Sequence, residues 1–266
     1  MAFFQNPSQT ATGRTEDFRL QIARGHVANH NFINKFGYSD SIGTTFELIT
    51  LSGAPITYVD SAFAAVVVSD EEQDNASGTG ARTVRVVGCD NDLVIAQEVV
   101  TLNGTNSVTT TQLFRRVFRM SVETAGSGGK SAGTITVSLD SNEQVRIDPA
   151  YDNQSLHAAY TVPSTATGYI TRVHVTAGKE NKPAMVGLFV RDNNVADSVF
   201  QIKNLVETYR NSIETNFPVP LRVQGGSDIE LRGKNLGTGQ ISLGGVFDMI
   251  VIEGVDNTIG TGGVLG

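Results

Sequence analysis

Hydrophobic and polar residues alternate with a period of two along most of the chain, which is the pattern of strands that bury one face. Between residues 78 and 138, short runs of this kind are separated by turn residues such as Asp90-Asn91-Asp92 and Asn103-Gly104. β-branched residues dominate these runs. The pattern therefore predicts a meander of short antiparallel strands.

The same alternation predicts a strand near the beginning of the chain, with Phe18, Leu20 and Ile22 on one side. Residues 246–252 are almost all apolar, which indicates a central strand buried on both faces. The segment FPVPLRV contains two prolines, which cannot donate backbone hydrogen bonds. We therefore expect it to be an edge strand that resists pairing with other chains.

These runs form two groups, so the predicted fold is all-β, with two antiparallel β-sandwich (jelly-roll-like) domains and an extended N-terminal arm. Pro149 and Pro163 interrupt the rhythm between the groups. The predicted parts are an N-terminal arm (1–14), a first sandwich (15–140), a connecting segment (141–167), a second sandwich (168–253) and a Gly-rich tail (254–266).

Composition limits the classes of partner that the chain is expected to bind. The formal net charge of −7 disfavours a general binder of nucleic acid or of anionic membranes. The sequence contains no apolar run of about 18 residues, so we expect no membrane span. The first fourteen residues lack the apolar core of a cleaved signal peptide, which predicts synthesis in a cytoplasm. The single cysteine, Cys89, excludes an intrachain disulfide, and we interpret it as a small half-buried residue at a strand end.

Several stretches resemble chemical motifs without completing them. Residues 125–131, AGSGGKS, look like the end of a phosphate-binding loop, but Thr124 stands where that loop needs glycine. A strand also follows, where phosphate binding needs a helix N-terminus. His26 and His30 are four residues apart without an acidic partner, so surface histidines are favoured over a metal pair. The acidic segment 70–74 lacks the spacing of a calcium loop and is interpreted as solvated.

Carboxylates are scattered at turns, where aspartate is common, although two of them could meet in space and hydrolyse a glycan. We expect no enzyme activity, and we assign no catalytic, cofactor-binding or metal-binding residue. The remaining candidates for function are surfaces that meet a partner.

The opening EDFRLQIARGHV, continuing to INKFG (residues 16–37), resembles the beginning of structural proteins of tailed bacteriophages, especially marine ones. So do GTGARTVRVVGCDNDLVIAQEVVTLNG, LFRRVFR and SAGTITV, while FPVPLRV and SDIELRG look like the β-sandwich modules that follow in such proteins. The resemblance covers most of the chain and rests on strand and turn motifs. It implies a virion component that is assembled in the host cytoplasm.

The resemblance does not indicate which part of the virion the chain forms, since decorating proteins of the capsid, head fibres and tail or baseplate proteins all use such sandwiches. We favour a capsid-decorating (cement) protein that binds the outer head surface and braces neighbouring subunits. The alternative is a tail, baseplate or fibre protein that binds a host receptor or glycan, with Tyr169 and Tyr209 as candidates for stacking on sugars. The expected partners are the major capsid protein or other virion subunits, with no nucleic acid and no membrane. We also expect a homo-oligomer, a trimer.

Residues at this expected interface are chosen on two grounds. An apolar pair in the arm could anchor it to a neighbour, and one strand looks amphipathic on both faces, with arginines that could pair with carboxylates. The candidates are Phe3, Phe4, Phe114, Arg115, Arg116, Phe118 and Arg119.

Overall fold

The structure is a computed structural model that describes residues 16–51, 56–178, 182–209 and 211–254. Within these ranges it has one α-helix, one turn of 3-10 helix (Pro149–Tyr151) and sixteen strands. The all-β prediction is confirmed. The helix and strands are α1 (Phe18–Ala23), β1 (His30–Ile42), β2 (Glu47–Leu48), β3 (Phe63–Ser69), β4 (Ala81–Cys89), β5 (Ile95–Thr101), β6 (Val108–Phe114), β7 (Arg116–Ala125), β8 (Ile135–Leu139), β9 (Asn142–Ile147), β10 (Ala159–Thr161), β11 (Ala166–Ala177), β12 (Pro183–Asp192), β13 (Gln201–Tyr209), β14 (Ser212–Val223), β15 (Ser227–Asn235) and β16 (Ile241–Glu253).

The strands form four antiparallel sheets that pack as two sandwiches. Sheet I has the order β1-β16-β11-β14, and sheet II has the order β10-β15-β12-β13, with β2 joined to β15. Sheet III is β6-β3-β8-β9, and sheet IV is β5-β4-β7. Each pair of sheets shares one hydrophobic core, which contains Phe247 and Leu231 between sheets I and II, and Val86 and Val137 between sheets III and IV.

The chain first forms two strands of one sandwich, then all strands of the other, and then the remaining strands of the first. We call β3–β9 the inserted sandwich, and β1, β2 and β10–β16 the split sandwich. Strand β1 pairs with β16 from His30–Ile252 to Gly37–Gly245 and beyond, across more than 200 residues of sequence. This differs from the predicted first domain of residues 15–140, because pairing between distant segments leaves no trace in local alternation.

The predicted connecting segment (141–167) also differs from the structure. Its first part is β9, which pairs with β8 in the inserted sandwich. Its later part contains β10, which pairs with β15, and Ala158, Tyr160 and Val162 in the core of the split sandwich. The prolines mark the turns around these strands, so the segment belongs to both sandwiches.

The strand predicted around Phe18 and Leu20 is wrong, because these residues begin α1. The side chain of Asp17 accepts hydrogen bonds from the backbone amides of Arg19 (2.9 Å) and Leu20 (3.3 Å), which is an N-cap. A six-residue helix is too short for its period to be distinguished from alternation.

Two other predictions about strands are confirmed. Strand β16 is central in sheet I, between β1 and β11. Strand β14, which contains FPVPLRV, is an edge strand that pairs only with β11 among the described strands. Its pairing passes from Ile170–Leu221 directly to Arg172–Asn216, so the stretch with both prolines bulges away from its neighbour. The predicted arm, with Phe3 and Phe4, and residues 255–266 of the predicted tail lie outside the described residues.

Candidate functional site

A buried ion pair joins the two sandwiches. Arg116 begins β7 of the inserted sandwich, and Asp228 lies on β15 of the split sandwich. Arg116 donates to both oxygens of Asp228, from Nε to Oδ1 at 3.1 Å and from Nη2 to Oδ2 at 3.2 Å. The exposed fractions of these residues are only 3% and 0%. A bidentate pair of this kind fixes both distance and orientation, so it sets how the sandwiches meet.

Asp228 has enough partners to remain ionised despite its burial. It also accepts hydrogen bonds from Arg191 Nη2 (2.5 Å), Thr161 Oγ1 (2.7 Å) and Asn193 Nδ2 (2.9 Å). Burial alone would raise the pKa of Asp228, but the charges and hydrogen bonds of Arg116 and Arg191 outweigh burial and hold the pKa below its ordinary value.

Aromatic rings cover these cations on the outer face of sheet II. The Tyr58 ring contacts the guanidinium groups of Arg116 and Arg191, at 4.7 and 4.4 Å from its centroid. Phe200 contacts Arg191 at 4.8 Å and Arg232 at 4.2 Å. Cations and rings therefore alternate along this face, and each guanidinium is attracted to the ring that shields it from water.

Glu230 completes this cluster. It accepts hydrogen bonds from Tyr58 Oη and from Arg232 Nε, and its exposed fraction is 2%. Burial, followed by the negative charges of Glu230 and Asp228, raises the pKa of the Tyr58 hydroxyl well above its ordinary value. The hydroxyl therefore stays a donor. The cluster of Tyr58, Arg116, Arg191, Asp228, Glu230 and Arg232 is called the junction below.

A second cation crosses between the sandwiches in the opposite direction. Lys35, on β1, donates from Nζ to the Phe118 carbonyl of β7 at 2.6 Å and lies 5.3 Å from the centroid of the Phe118 ring. Burial, helped by the nearby charge of Arg119, lowers the pKa of Lys35 to about 7. Burial and the charge of Lys35 lower the pKa of the neighbouring His157 well below its ordinary value.

The junction offers hydrogen bonds and charge pairing but no reactive group. Cys89 is buried nearby, and burial, followed by the charge of Asp228, raises the pKa of its thiol, so it is a poor nucleophile. Across the described ranges, no group of three or more His, Cys, Asp or Glu side chains could hold a metal ion. None of the helices described is long and apolar enough to cross a membrane.

Three of the predicted interface residues lie inside the chain. Phe114 is fully buried in the core of the inserted sandwich. Phe118 packs on Tyr160 in the core of the split sandwich, with ring centroids 4.9 Å apart. With Arg116 in the junction, these side chains have no surface for a partner. Strand β7 looks apolar on both faces because it contacts both cores.

The two remaining arginines of that set reach the surface. Arg119 is exposed, and its Nη2 lies 3.4 Å from Gln154 Oε1. Arg115 is half-buried, and its Nη1 donates to the Asn91 carbonyl at 3.4 Å. The five predicted interface residues that the structure describes are therefore not brought together on one surface.

The loop motifs have structural roles. Residues 126–134, which contain most of AGSGGKS, connect β7 to β8 as predicted, and Lys130 Nζ donates to the Pro149 carbonyl at 2.8 Å. The acidic loop differs from its solvated interpretation at Asp74, which is fully buried. Asp74 accepts hydrogen bonds from Ser69 Oγ (2.6 Å) and from the backbone amides of Ala81 (2.7 Å), Ala132 (2.8 Å) and Gly133 (3.0 Å). These bonds fasten the loop between β3 and β4 to the loop between β7 and β8.

The split sandwich exposes large apolar side chains along one side. They lie on the loop between β12 and β13, on β13 itself and in the bulge of β14. Their exposed fractions are Val195 57%, Val199 70%, Ile202 47%, Leu205 45%, Tyr209 49% and Val219 83%. We call residues 193–200 the valine loop and residues 201–209 the β13 edge. The valine loop, β13 and β14 together line a groove of about 500 Å³.

A second groove, of about 530 Å³, lies between α1 and the outer face of sheet I. Phe32, half exposed, and Ile250 give it an apolar side. On its polar side, Arg172 donates to Asp248 Oδ2 (2.7 Å) and to Glu214 Oε2 (3.0 Å). Tyr169 and Tyr209, the residues considered for sugar stacking, do not line this groove.

Comparisons with known proteins give only distant similarities. No protein-family model and no curated protein matches the chain. Among solved structures, the chain is similar to the infectious bursal disease virus Gt strain, with 10% identity and a TM-score of 0.24 over 85% of this chain and 73% of that one. It is also similar to the VP2 subviral particle of infectious bursal disease virus, with 10% identity and a TM-score of 0.25 over 86% and 74% of the two chains.

A third similarity is to carbohydrate-binding modules of the β-sandwich superfamily, with 11% identity and a TM-score of 0.20 over 85% of this chain and 98% of that one. The similarities are thus to viral capsid proteins and to β-sandwich binding modules, at a distance too great to support an argument about function.

Proposed function

We propose that this chain is a structural protein of a bacteriophage virion, a capsid-decorating protein that binds the outer surface of the head and braces neighbouring subunits. The observation that carries the proposal is the row of exposed apolar side chains on the valine loop and the β13 edge. Concentrated exposed apolar surface of this kind is typical of a site that contacts another protein. The resemblance of the sequence motifs to phage structural proteins supports the same class.

The junction gives this surface the rigidity that a bracing protein needs. Because Arg116, Asp228 and Lys35 hold the two sandwiches together, a force on one sandwich is transmitted to the other. In this proposal, the valine loop contacts the major capsid protein or another virion subunit. The protein is assembled into the particle in the host cytoplasm.

The test is binding of the purified chain to phage heads that lack it, measured by cosedimentation. We expect the wild type to sediment with heads, and Val199→Asp to weaken this binding at least about tenfold, since a charge at the centre of an apolar contact is left unpaired. The matched control is Val99→Asp on β5, where Val99 has an exposed fraction of 43% but lies on the inserted sandwich. A wild-type chain that binds neither heads nor tails would overturn the proposal.

The groove beside α1 supports a second candidate, a tail, baseplate or fibre protein that binds a receptor glycan. Phe32 offers a ring to the apolar face of a sugar, and Arg172 with its two carboxylates offers donors and acceptors to hydroxyl groups. Binding of the chain to tails rather than heads, together with glycan binding that Phe32→Ala abolishes, would favour this candidate.

A further inference from the structure

The groove beside α1 crosses the outer face of sheet I from one edge strand to the other. Its lining includes Phe32 on β1, Ile250 and Asp248 on β16, Arg172 on β11 and Glu214 on β14. Neighbouring strands are about 4.8 Å apart, so the groove extends roughly 14 Å across the sheet. Helix α1 packs against β1 and forms the wall at that end. The length suits a ligand of more than one ring.

The end of the groove next to α1 is apolar. Leu20 of α1 and Phe32 both line it, with exposed fractions of 49% and 51%. Phe32 also lies directly opposite Ile250 in the register of β1 and β16, so the two side chains share one face of the sheet. A flat apolar floor of this kind suits a molecule with one apolar face, such as the C–H face of a sugar ring.

The end of the groove next to β14 contains polar groups that are held in fixed positions. Arg172 donates from Nε to Asp248 Oδ2 (2.7 Å) and from Nη1 to Glu214 Oε2 (3.0 Å). Asp248 Oδ1 also accepts from Asn34 Nδ2 (2.5 Å), and Glu214 Oε1 accepts from Asn216 Nδ2 (2.8 Å). In the described part of the chain, Arg172 Nη2 has no acceptor. Oriented donors and acceptors beside an apolar floor can bind hydroxyl groups with little loss of side-chain entropy.

A positive charge without a partner lies at the α1 end. Arg19 lines the groove and is exposed, and its side chain makes no hydrogen bond or ion pair with the described residues. The nearby acidic side chains have other partners, because Glu16 pairs with Arg24 and Asp17 caps α1. A guanidinium can bind a carboxylate through two parallel hydrogen bonds. Arg19 is therefore available to an acidic group of a ligand.

The two ends of the groove differ in charge. Arg19 carries one positive charge at the α1 end. At the β14 end, the two carboxylates of Asp248 and Glu214 outnumber the one guanidinium of Arg172. An acidic group is thus attracted to the first end and repelled from the second, whereas hydroxyl groups can donate to Glu214 at the second end.

We propose that this groove binds a short acidic glycan. The carboxylate of one sugar pairs with Arg19, the ring of that sugar packs on Phe32, and hydroxyl groups of the next sugar bind Arg172 and Glu214. The inference rests on the second candidate function, glycan binding, and adds the chemical class of the glycan and its direction in the groove. A glycan fits better than a peptide, because the groove lies on the face of the sheet and offers no open strand edge for backbone pairing.

The test is binding of the full chain to immobilised oligosaccharides in matched pairs, which differ only in a uronic acid or the corresponding neutral hexose. Titration calorimetry then measures the pair that binds best, at 0.15 M salt, where charges more than about 8 Å apart are screened. The acidic member should bind at least about tenfold more tightly than the neutral member, because only the acidic member pairs with Arg19.

Two substitutions separate the roles of the two ends. Arg19→Ala should weaken only the acidic member and bring the two affinities within about twofold of each other, whereas Arg19→Glu should make the neutral member the tighter ligand. Glu214→Gln should weaken both members by a similar factor, since it acts on hydroxyl groups that both contain. The matched control is Arg119→Ala, an exposed arginine of the inserted sandwich, which should change neither affinity. Circular dichroism checks that each variant is folded.

Three outcomes would overturn the proposal: no acidic oligosaccharide binds, the wild type binds both members of each pair equally, or Arg19→Ala keeps the preference for the acidic member. A poly-glutamate peptide that binds as tightly as the acidic glycan and depends equally on Arg19 would overturn the assignment to glycans. Neutral binding that Phe32→Ala abolishes would leave the second candidate function standing without this inference. Binding to tails or heads is measured separately and does not affect these results.

Discussion

The junction and the β13 edge invert the usual distribution of residues. At the junction the chain buries Arg116, Asp228 and Glu230, each with an exposed fraction of 3% or less, whereas charged residues ordinarily lie at the surface. At the β13 edge it exposes Ile202 and Leu205, which ordinarily lie inside. The first inversion is stable because each buried charge has partners from the same chain.

The difference separates groups whose partners lie within the same chain from groups that are left exposed. Asp228 accepts hydrogen bonds from four different side chains, so its desolvation is offset within the chain. The apolar side chains of the β13 edge have no comparable cover. Changes at the junction should therefore alter the stability of the isolated chain, and changes at the edge should alter its association.

The largest effect on stability is expected at Asp228. Asp228→Ala would leave the buried Arg116 and the half-buried Arg191 without their carboxylate, which should lower the free energy of unfolding by about 3–5 kcal/mol. Chemical denaturation at pH 7 measures this change. The exposed pair of Arg85 and Glu123 is the matched control, since water screens this pair and Glu123→Ala should change stability far less. Equal losses for the two variants would contradict the assignment of the junction as a structural link.

Gly88→Ala should have the next largest effect. Gly88 lies on β4 beside the start of β7, and an added methyl group would collide with the carbonyl oxygen of Arg116, a backbone atom. Forcing β4 and β7 apart should cost about 1–3 kcal/mol and disturb the junction through Arg116. Gly237→Ala is the control, because its nearest contact would be an ordinary one of 3.4 Å. Thermal unfolding of both variants gives the comparison, and a Gly88→Ala variant as stable as the control would show that the strands can separate without cost.

The sequence predicted local structure better than it predicted the junction. Alternation identified the central strand β16, and the two prolines identified the edge strand β14, because both signals lie within a few residues. Arg116, by contrast, pairs with Asp228, which is 112 residues away in the sequence. No local pattern distinguishes an arginine with a partner in the same chain from one that meets another subunit, so the sequence predicted Arg116 at an interface between chains.

Phe114, Arg116 and Phe118 were expected at an interface with a partner, but are buried within the chain, for a related reason. A strand that is apolar on both sides predicts contact with something on each face, and this holds for β7, but the second contact is the other sandwich of the same chain. The β13 edge was missed because QIKNLVETY contains charged and polar residues and looks like a solvated strand. That β13 ends a sheet is visible only in the structure.

Lys35, the second cation between the sandwiches, should give the stability of the chain a measurable dependence on pH. Its pKa is about 7 in the folded chain and 10.5 ordinarily, so between these values the unfolded chain binds more protons and stability rises with pH. The expected slope is up to about 1.4 kcal/mol per pH unit. Lys35→Met should remove this slope between about pH 7 and 10. His157, whose pKa is lowered from 6.5, should still reduce stability below that pH in both proteins.

Urea denaturation at several pH values tests this prediction, and Lys203→Met at the β13 edge is the control for loss of a lysine. A slope that persists in Lys35→Met would assign the pH dependence to other groups.

The smallest effect on stability is expected at Glu98, which closes the β6 edge. Burial would raise the pKa of Glu98, but the amides of Gln112 and Thr111 lower it overall, so its carboxylate favours the folded chain above its ordinary pKa of 4.5 and loses this effect as pH falls below that value. Glu98→Ala should therefore lower the free energy of unfolding by about 1 kcal/mol at neutral pH, and by less under acid conditions.

The same substitution also uncovers the backbone amides of Thr111 and Gln112, which makes the β6 edge as open as that of β13. We expect added, concentration-dependent association in light scattering, and Glu98→Gln, which keeps an acceptor oxygen, should show less of it. If Glu98→Ala associates no more than the wild type, an open strand edge alone does not drive self-association of this protein.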